Sequence, residues 1–271
     1  MPTVNVDGVN IYYEVHGPKN ASKTLLLIEG LGYAKWMWFK QLPEFASLYR
    51  TIIMDNRGVG ESDKPQGDYS MATMARDAAG VLRTIGVTGV YVLGVSMGGF
   101  IAQEMALAYP HLVKGMILAV TSMGGANHVP APASTIEAMT PVPGLSPEGQ
   151  IRRGMAVAVS PGYWERHPAE MEQIIRSRLE KPTPLHAYLG QLAAVARHDT
   201  ENRLGKINVP VLVIGAELDA VVPVENCQRL AGLIPGARIT IVPGAGHLVF
   251  IEKPDFFNSL VISFIDGNGE V

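Results

Sequence analysis

The chain has 271 residues, of which 47% are hydrophobic and 17% are charged, so it has enough apolar side chains for one sizeable core. Its formal net charge of -3, without a run of like charges, excludes the electrostatic footprint of a nucleic-acid-binding protein. No apolar run is long enough to cross a bilayer, the N-terminus does not resemble an export signal, and the one cysteine, Cys227, cannot form an internal disulfide. These features predict a cytoplasmic protein without a membrane partner.

The chain opens with a predicted pair of antiparallel strands. Residues 4–6 and 9–15 flank Asp7-Gly8, a dipeptide that supplies the positive φ angles of a tight hairpin turn. Apolar runs then alternate with segments of helical period, and such unbroken runs are typical of parallel strands that are covered on both faces. We therefore predict an α/β fold with a mostly parallel central sheet and helices on both faces. The apolar runs are residues 25–28, 51–54, 90–93, 116–120, 211–214 and 239–242.

The predicted helices have recognisable ends. Ser70 can cap a helix that runs to residue 85, where Gly86 offers a left-handed stop. Pro223 and Pro254 are each placed to open a helix, over residues 224–233 and up to residue 264 respectively.

One long stretch interrupts the alternation of strands and helices. Residues 122–197 contain no strand-like run; five prolines lie between residues 130 and 147, and helical segments follow at 151–159 and 169–179. A structureless loop of that length is improbable in a compact domain. The sequence therefore predicts a core domain of residues 1–121 and 198–271 with a helical cap, residues 122–197, inserted into it.

A candidate nucleophile lies between a predicted strand and a predicted helix. The pentapeptide Gly-Val-Ser-Met-Gly, residues 94–98, follows the strand at 90–93 and precedes a helix at 100–109. This arrangement suits a strained strand-to-helix turn that presents Ser96 at the carboxyl end of the sheet. The pentapeptide also arises by chance in roughly one chain in seven of this composition. Whether Ser96 is a nucleophile therefore depends on whether the sequence also offers a catalytic base and acid.

A serine hydroxyl needs a histidine base and a carboxylate that orients the histidine, in the chain order serine, acid, histidine. Asp219 is the candidate acid, because it lies in the loop after the strand at 211–214. Glu217 in the same loop could compete for this role, and Asp219 could instead cap the following helix.

His247 is the candidate base. It follows the late strand at 239–242 and a glycine-rich turn, whereas an ordinary exposed loop histidine is the alternative interpretation. Because parallel strands end at the same edge of a sheet, we expect Ser96, Asp219 and His247 to meet there.

The fourth expected element is an oxyanion hole, which needs two backbone N–H groups. Met97, directly after the nucleophile, is placed to supply one of them. The tetrapeptide Glu-Gly-Leu-Gly, residues 29–32, follows the strand at 25–28 and is placed to supply the other through the N–H of Leu31. A glycine-rich turn with no ligand is the alternative.

Together these motifs resemble the α/β-hydrolase superfamily, specifically its cap-bearing carboxylesterases, enol-lactonases and cofactor-free haloperoxidases. The resemblance covers nearly the whole chain and includes the turn Asp-Asn-Arg-Gly-Val-Gly-Glu-Ser, residues 55–62, which is chiefly structural in that family. Glu29 departs from the pattern, because the family usually has histidine there. The N–H of Leu31 does not depend on that side chain, so we expect a buried Glu29 with an unidentified partner.

The resemblance implies acyl transfer without a cofactor, and the scattered histidines suggest no metal site. Serine at position 96 argues against the haloalkane dehalogenases of this fold, which have aspartate there, and no dinucleotide-binding glycine pattern is present. Trp36, Trp38, Met123 and Met139 suggest a flexible apolar acyl pocket, with plain core packing as an equal alternative.

We therefore expect an esterase for a small, largely apolar ester. A cofactor-free perhydrolase or haloperoxidase with the same triad, an enol-lactone hydrolase, and a ligand receptor on a hydrolase scaffold remain open alternatives. No arginine stands clearly opposite a substrate carboxylate, although Arg152, Arg153 and Arg197 border the predicted cap. The sequence does not indicate an oligomeric state.

Overall fold

An eight-stranded sheet forms the centre of the molecule in the computed structural model, which describes residues 2–67 and 69–267. The strand order is β1-β2-β4-β3-β5-β6-β7-β8. β1 and β2 pair antiparallel, β2 pairs antiparallel with β4, and all later neighbours are parallel. The strands are β1 (Thr3–Val6), β2 (Val9–His16), β3 (Thr24–Ile28), β4 (Arg50–Met54), β5 (Val90–Val95), β6 (Val113–Ala119), β7 (Val211–Ala216) and β8 (Arg238–Val242).

The predicted strands are confirmed with small shifts at their ends. Asp7 and Gly8 form the expected hairpin turn with φ angles of 48° and 84°. The strand predicted for residues 116–120 ends at Ala119, because Val120 adopts a positive φ of 45° that takes it out of the ladder.

Helices cover both faces of the sheet, as the continuous apolar strands predict. In β3, Leu26 and Ile28 pack into one core cluster, while Leu25 and Leu27 pack into the other. Because successive strand residues point to opposite faces, this division requires a helical layer on each side. The helices are α1 (Leu42–Leu48), α2 (Met71–Thr84), α3 (Met97–Ala108), α4 (Ala133–Met139), α5 (Pro147–Ala158), α6 (Tyr163–Arg166), α7 (Pro168–Glu180), α8 (Leu185–Ala196), α9 (Val224–Leu233), α10 (Val249–Glu252) and α11 (Pro254–Asp266).

The helix-end signals also operate as predicted. The Ser70 hydroxyl accepts a hydrogen bond of 3.0 Å from the N–H of Thr73, and Gly86 has a φ of 67° just beyond α2. α3 begins at Met97, three residues before the predicted start, so the helix follows Ser96 directly.

A helical insertion separates β6 from β7. It contains α4 to α8, of which α5 and α7 coincide with the helical segments predicted from the sequence. Prolines occupy the first turn of α5 and of α7, where a backbone N–H has no acceptor within the helix. The boundaries at residues 122 and 197 fall in the connections before α4 and after α8, and the division into two domains stays a prediction.

Within the described ranges, no helix has both the length and the apolar character that a membrane span requires.

Candidate active site

Ser96 lies at the sharp turn between β5 and α3. Its backbone has φ 54° and ψ -120°, a conformation that non-glycine residues rarely adopt. The turn is held by a bond of 2.9 Å from the Ser96 N–H to the carbonyl of Ala119 and by one of 2.8 Å from the Thr121 hydroxyl to the Ser96 carbonyl. This network stabilises the strained backbone around the serine.

The glycines on both sides of Ser96 are sterically required. A Cβ atom at Gly98 would collide with the carbonyl oxygen of Ile28, and one at Gly94 would collide with the carbonyl of Gly98. Only glycine therefore allows β5 to turn this tightly into α3 while α3 packs against the end of β3.

Asp219 and His247 lie in the loops after β7 and β8 and form a hydrogen bond. Asp219 Oδ2 is 2.8 Å from His247 Nδ1, and both residues are 7% exposed. Asp219 Oδ1 accepts bonds of 2.8 Å from the N–H groups of both Val221 and Val222. These donors hold the carboxylate in place against Nδ1 of His247. The other ring nitrogen, Nε2, is not used in this contact with Asp219.

Glu217, the competing acid, is directed elsewhere. Its carboxylate accepts a bond of 2.8 Å from the N–H of Gly244, at the start of the turn that leads to His247. Glu217 therefore helps to shape the loop, while Asp219 is the carboxylate that contacts the imidazole.

The loop after β3 passes directly beside Ser96. A Cβ atom at Gly30 would lie 3.2 Å from the Cβ of Ser96, so glycine permits this close approach. Neither the N–H of Leu31 nor that of Met97 donates to another group in residues 2–67 and 69–267. Two free donors thus flank Ser96, the feature that an oxyanion hole requires.

Glu29 is buried at the base of this loop and is 1% exposed. Its Oε2 accepts a bond of 3.0 Å from the N–H of Gly30, whereas Oε1 has no partner among the described residues. Burial raises the pKa of Glu29 to about 8, because it removes the carboxylate from water and the hydrogen bond from the N–H of Gly30 offsets only part of that cost. The partner expected from the sequence is therefore the backbone of its own loop, and the carboxyl is neutral at pH 7.

Residues 55–62 form a structural turn beneath the same loop. Asp55 accepts bonds of 2.7 Å and 2.8 Å from the N–H groups of Lys35 and Glu61. Arg57 forms a buried two-pronged ion pair with Asp77 of α2, at 2.6 Å and 2.7 Å. The side chains of Asp55 and Arg57 thus form structural contacts within the core.

Gln191 in α8 fastens the helical insertion to the site, a role that the sequence analysis missed. Its Oε1 accepts a bond of 2.9 Å from the N–H of Gly32, and its Nε2 donates one of 2.8 Å to the carbonyl of Arg57. A lone glutamine in an apolar helix gave the only signal, and its partners lie more than 130 positions away.

Glu252 in α10 holds the loop of His247, which the sequence analysis also missed. Its carboxylate accepts bonds from the N–H of Gly246 at 3.1 Å and from the hydroxyl of Ser160 at 2.5 Å. Since Ser160 belongs to the insertion, this carboxylate joins the insertion to the residue next to His247.

A cavity of about 750 Å³ lies between the core and the insertion, and both Ser96 and His247 line it. Its volume is within the range that binds small organic ligands. Trp36 and Met139, two of the four residues proposed for the pocket from the sequence, also line the cavity, and so does Leu31.

Trp38 and Met123 do not line the cavity, which corrects the prediction for both. Each is 0% exposed in the core, Trp38 with its ring centroid 5.4 Å from that of Phe250. The apolar character that suggested a pocket here serves packing instead.

Comparisons with known proteins identify the fold family. Residues 23–254 match a family model described as the alpha/beta hydrolase fold. Over 264 residues the chain is 29% identical to RutD of Azorhizobium caulinodans, a protein proposed by its name to be a carbamate hydrolase, and covers 97% of its own length and 98% of that protein. Over 263 residues it is 30% identical to BpoC of Mycobacterium tuberculosis, proposed by its name to be a non-heme bromoperoxidase, with coverage of 94% and 97%.

A solved structure gives the same result in three dimensions. Est816, described as an enzyme that degrades N-acyl homoserine lactones, superposes with a TM-score of 0.81 at 28% identity. The similarity covers 97% of this chain and 100% of that one.

Proposed function

The chain belongs to the alpha/beta hydrolase fold family, and on that premise we propose that it is a serine hydrolase that cleaves carboxylic esters through an acyl-enzyme on Ser96. The observation that carries the proposal is the 2.8 Å hydrogen bond between Asp219 and His247 at the cavity that Ser96 lines. Because three similar proteins named for different activities share this scaffold, the activity of this chain has to be inferred from its site.

In the proposed first step, the Ser96 hydroxyl attacks the ester carbonyl and His247 takes its proton. Asp219 holds the imidazole with a proton on Nδ1, so Nε2 acts as the base, and it stabilises the imidazolium that forms. His247 then gives the proton to the leaving alcohol. Water then attacks the acyl-enzyme, with His247 again taking the proton. His247 returns this proton to Ser96 as the acid is released.

In the proposed mechanism, the N–H groups of Leu31 and Met97 stabilise the negative charge of the tetrahedral intermediate. Both lack acceptors among the described residues, and the Met97 group also lies at the positive end of α3. A neutral Glu29 fits this function, because an ionised carboxylate behind the loop would oppose the oxyanion.

The substrate class follows from the cavity lining. Apolar side chains from both the core and the insertion favour a largely apolar ester. Lactones are included in this class, because they are cyclic esters.

A fluorophosphonate probe followed by mass spectrometry tests the nucleophile. We expect a single adduct on Ser96 and a fall in ester hydrolysis on the order of a thousandfold or more in Ser96→Ala. An adduct on another serine, or none in active protein, would remove the proposal. A panel of p-nitrophenyl esters and lactones of rising acyl length then measures what the cavity accepts.

A cofactor-free perhydrolase is the second candidate, favoured by the 30% identity to BpoC. In that reaction hydrogen peroxide replaces water in releasing the acyl group. The test is peroxide-dependent halogenation in acetate buffer, with Ser96→Ala as control. Ester turnover without halogenation would exclude this candidate.

A further inference from the structure

Arg178 is an arginine of the cavity wall that the sequence analysis did not identify. It lies in the last turn of α7, in the helical insertion, and lines the same cavity as Ser96 and His247. Its guanidinium carbon is 4.5 Å from the centroid of the Tyr33 ring. This cation–π contact positions the guanidinium without neutralising it.

Arg178 lies close to the loop that carries the proposed oxyanion donor. A Cβ atom at Gly32 would be 3.1 Å from Arg178 Nη2 and 3.2 Å from the ring of Tyr188. Gly30, only two residues away, contacts Ser96, and two residues span at most about 7 Å of chain. One small molecule in the cavity can therefore reach both the serine and the guanidinium.

No carboxylate pairs with Arg178 anywhere in the described ranges. Lys181, the other cation of the cavity wall, forms an ion pair with Glu61. Glu29 does not compensate Arg178 either, because burial raises its pKa to about 8 and keeps it neutral at pH 7. The cavity thus holds an uncompensated positive charge among apolar side chains.

We propose that Arg178 binds a carboxylate carried by the substrate, so that the preferred substrate is an ester or lactone with a second, anionic end. This inference rests on the proposed function of Ser96 and names the substrate class for the same site. A single planar guanidinium matches the two oxygens of a carboxylate, whereas a phosphate dianion would call for more than one cation. The apolar walls would contact the carbon chain between the two ends.

Arg178 has a structural role as well, since a cation in the last turn of a helix interacts favourably with the free carbonyl groups. That role does not discriminate between substrates. The test must therefore measure substrate preference, not activity alone.

The experiment compares two series of methyl esters at equal chain length. One series consists of monomethyl esters of succinate, glutarate, adipate and suberate, and the other of the corresponding half-amides, which replace the carboxylate with a neutral group. We expect a higher kcat/KM for the carboxylate at the length that spans from Ser96 to Arg178. In Arg178→Gln this preference should fall by about ten- to hundredfold, mainly through KM, while the half-amides change little.

Two further variants separate charge from folding. Arg178→Lys should retain part of the preference, because it keeps the charge but loses the two-pronged geometry. Arg176→Gln, an exposed change on the same helix, should retain all of it.

Equal rates on both series in the wild type, or an equal loss on both series in Arg178→Gln, would overturn this inference while leaving the serine mechanism intact. Failure of the proposed function itself would appear differently, as the absence of Ser96-dependent turnover of either series.

Discussion

At the scale of single residues, Glu29 distinguishes this site from the hydrolases that it resembles, which usually have histidine there. A carboxyl that is 1% exposed, with one oxygen that has no partner in the described part of the chain, is unfavourable when ionised. The protonated form avoids this cost, because Oε2 still accepts from the N–H of Gly30. Glu29 thus supports the loop as a neutral acid.

A pH dependence of stability follows from the raised pKa of Glu29. Between its ordinary pKa of 4.5 and the folded value of about 8, the native state holds a proton that the unfolded state has released. Stability from this group is therefore fully present below the ordinary value and is lost as the pH rises through the folded value.

We predict that Glu29→Gln is more stable than the wild type at alkaline pH. Glutamine imitates the protonated acid and does not titrate, so the difference in unfolding free energy should grow from about zero near pH 4 to a few kcal/mol near pH 8. Urea unfolding at several pH values measures it. Wild-type and variant curves that stay parallel across this range would contradict a raised pKa.

At the scale of secondary-structure elements, contact between α8 and the loop after β3 determines how the helical insertion sits over the nucleophile. Gln191 is 0% exposed and bonds to backbone groups of Gly32 and Arg57 at once. Loss of this side chain would leave both backbone groups buried without the hydrogen-bond partner that Gln191 provides.

We predict that Gln191→Ala destabilises the protein by about 1–3 kcal/mol and lowers kcat/KM for esters. The loop that carries Leu31 would lose its fixed position, so kcat should fall together with the stability. Urea unfolding and steady-state kinetics provide the two readouts, with the exposed change Ala196→Ser on the same helix as control. Unchanged kinetics in a destabilised variant would show that Gln191 supports folding only.

At the scale of the whole molecule, Cys227 reports on the integrity of the core. It is 1% exposed, and its thiol contacts the carbonyl of Thr121 at 3.4 Å. Burial raises its pKa to about 12, so almost no thiolate is present at neutral pH.

We predict that Cys227 does not react with a thiol reagent such as DTNB in the native state. Because α9 and the sheet enclose it, the reaction should begin only with unfolding and follow the same urea midpoint as circular dichroism. Cys227→Ala provides the baseline. Rapid labelling well below that midpoint would indicate local opening of α9.

The strands, most helix ends and the serine turn were predictable because they depend on neighbouring residues. Apolar runs, the Ser70 cap, and glycines on both sides of Ser96 act within a few positions of the chain. The common edge of parallel strands also predicted that Asp219 and His247 would meet, and they lie 2.8 Å apart.

Local patterns predict which residues a helix or a loop will contain, but not what those residues will contact. Trp38 and Met123 have the composition of a pocket and lie in the core, while Arg178 looks like a surface residue of α7 and lines the cavity. Gln191 and Gly32 are separated by 159 positions. The packing of the helical insertion against the sheet brings such distant groups together. Only the tertiary structure therefore determined that Glu29 is buried and protonated, and that the positively charged Arg178 lies in the cavity wall.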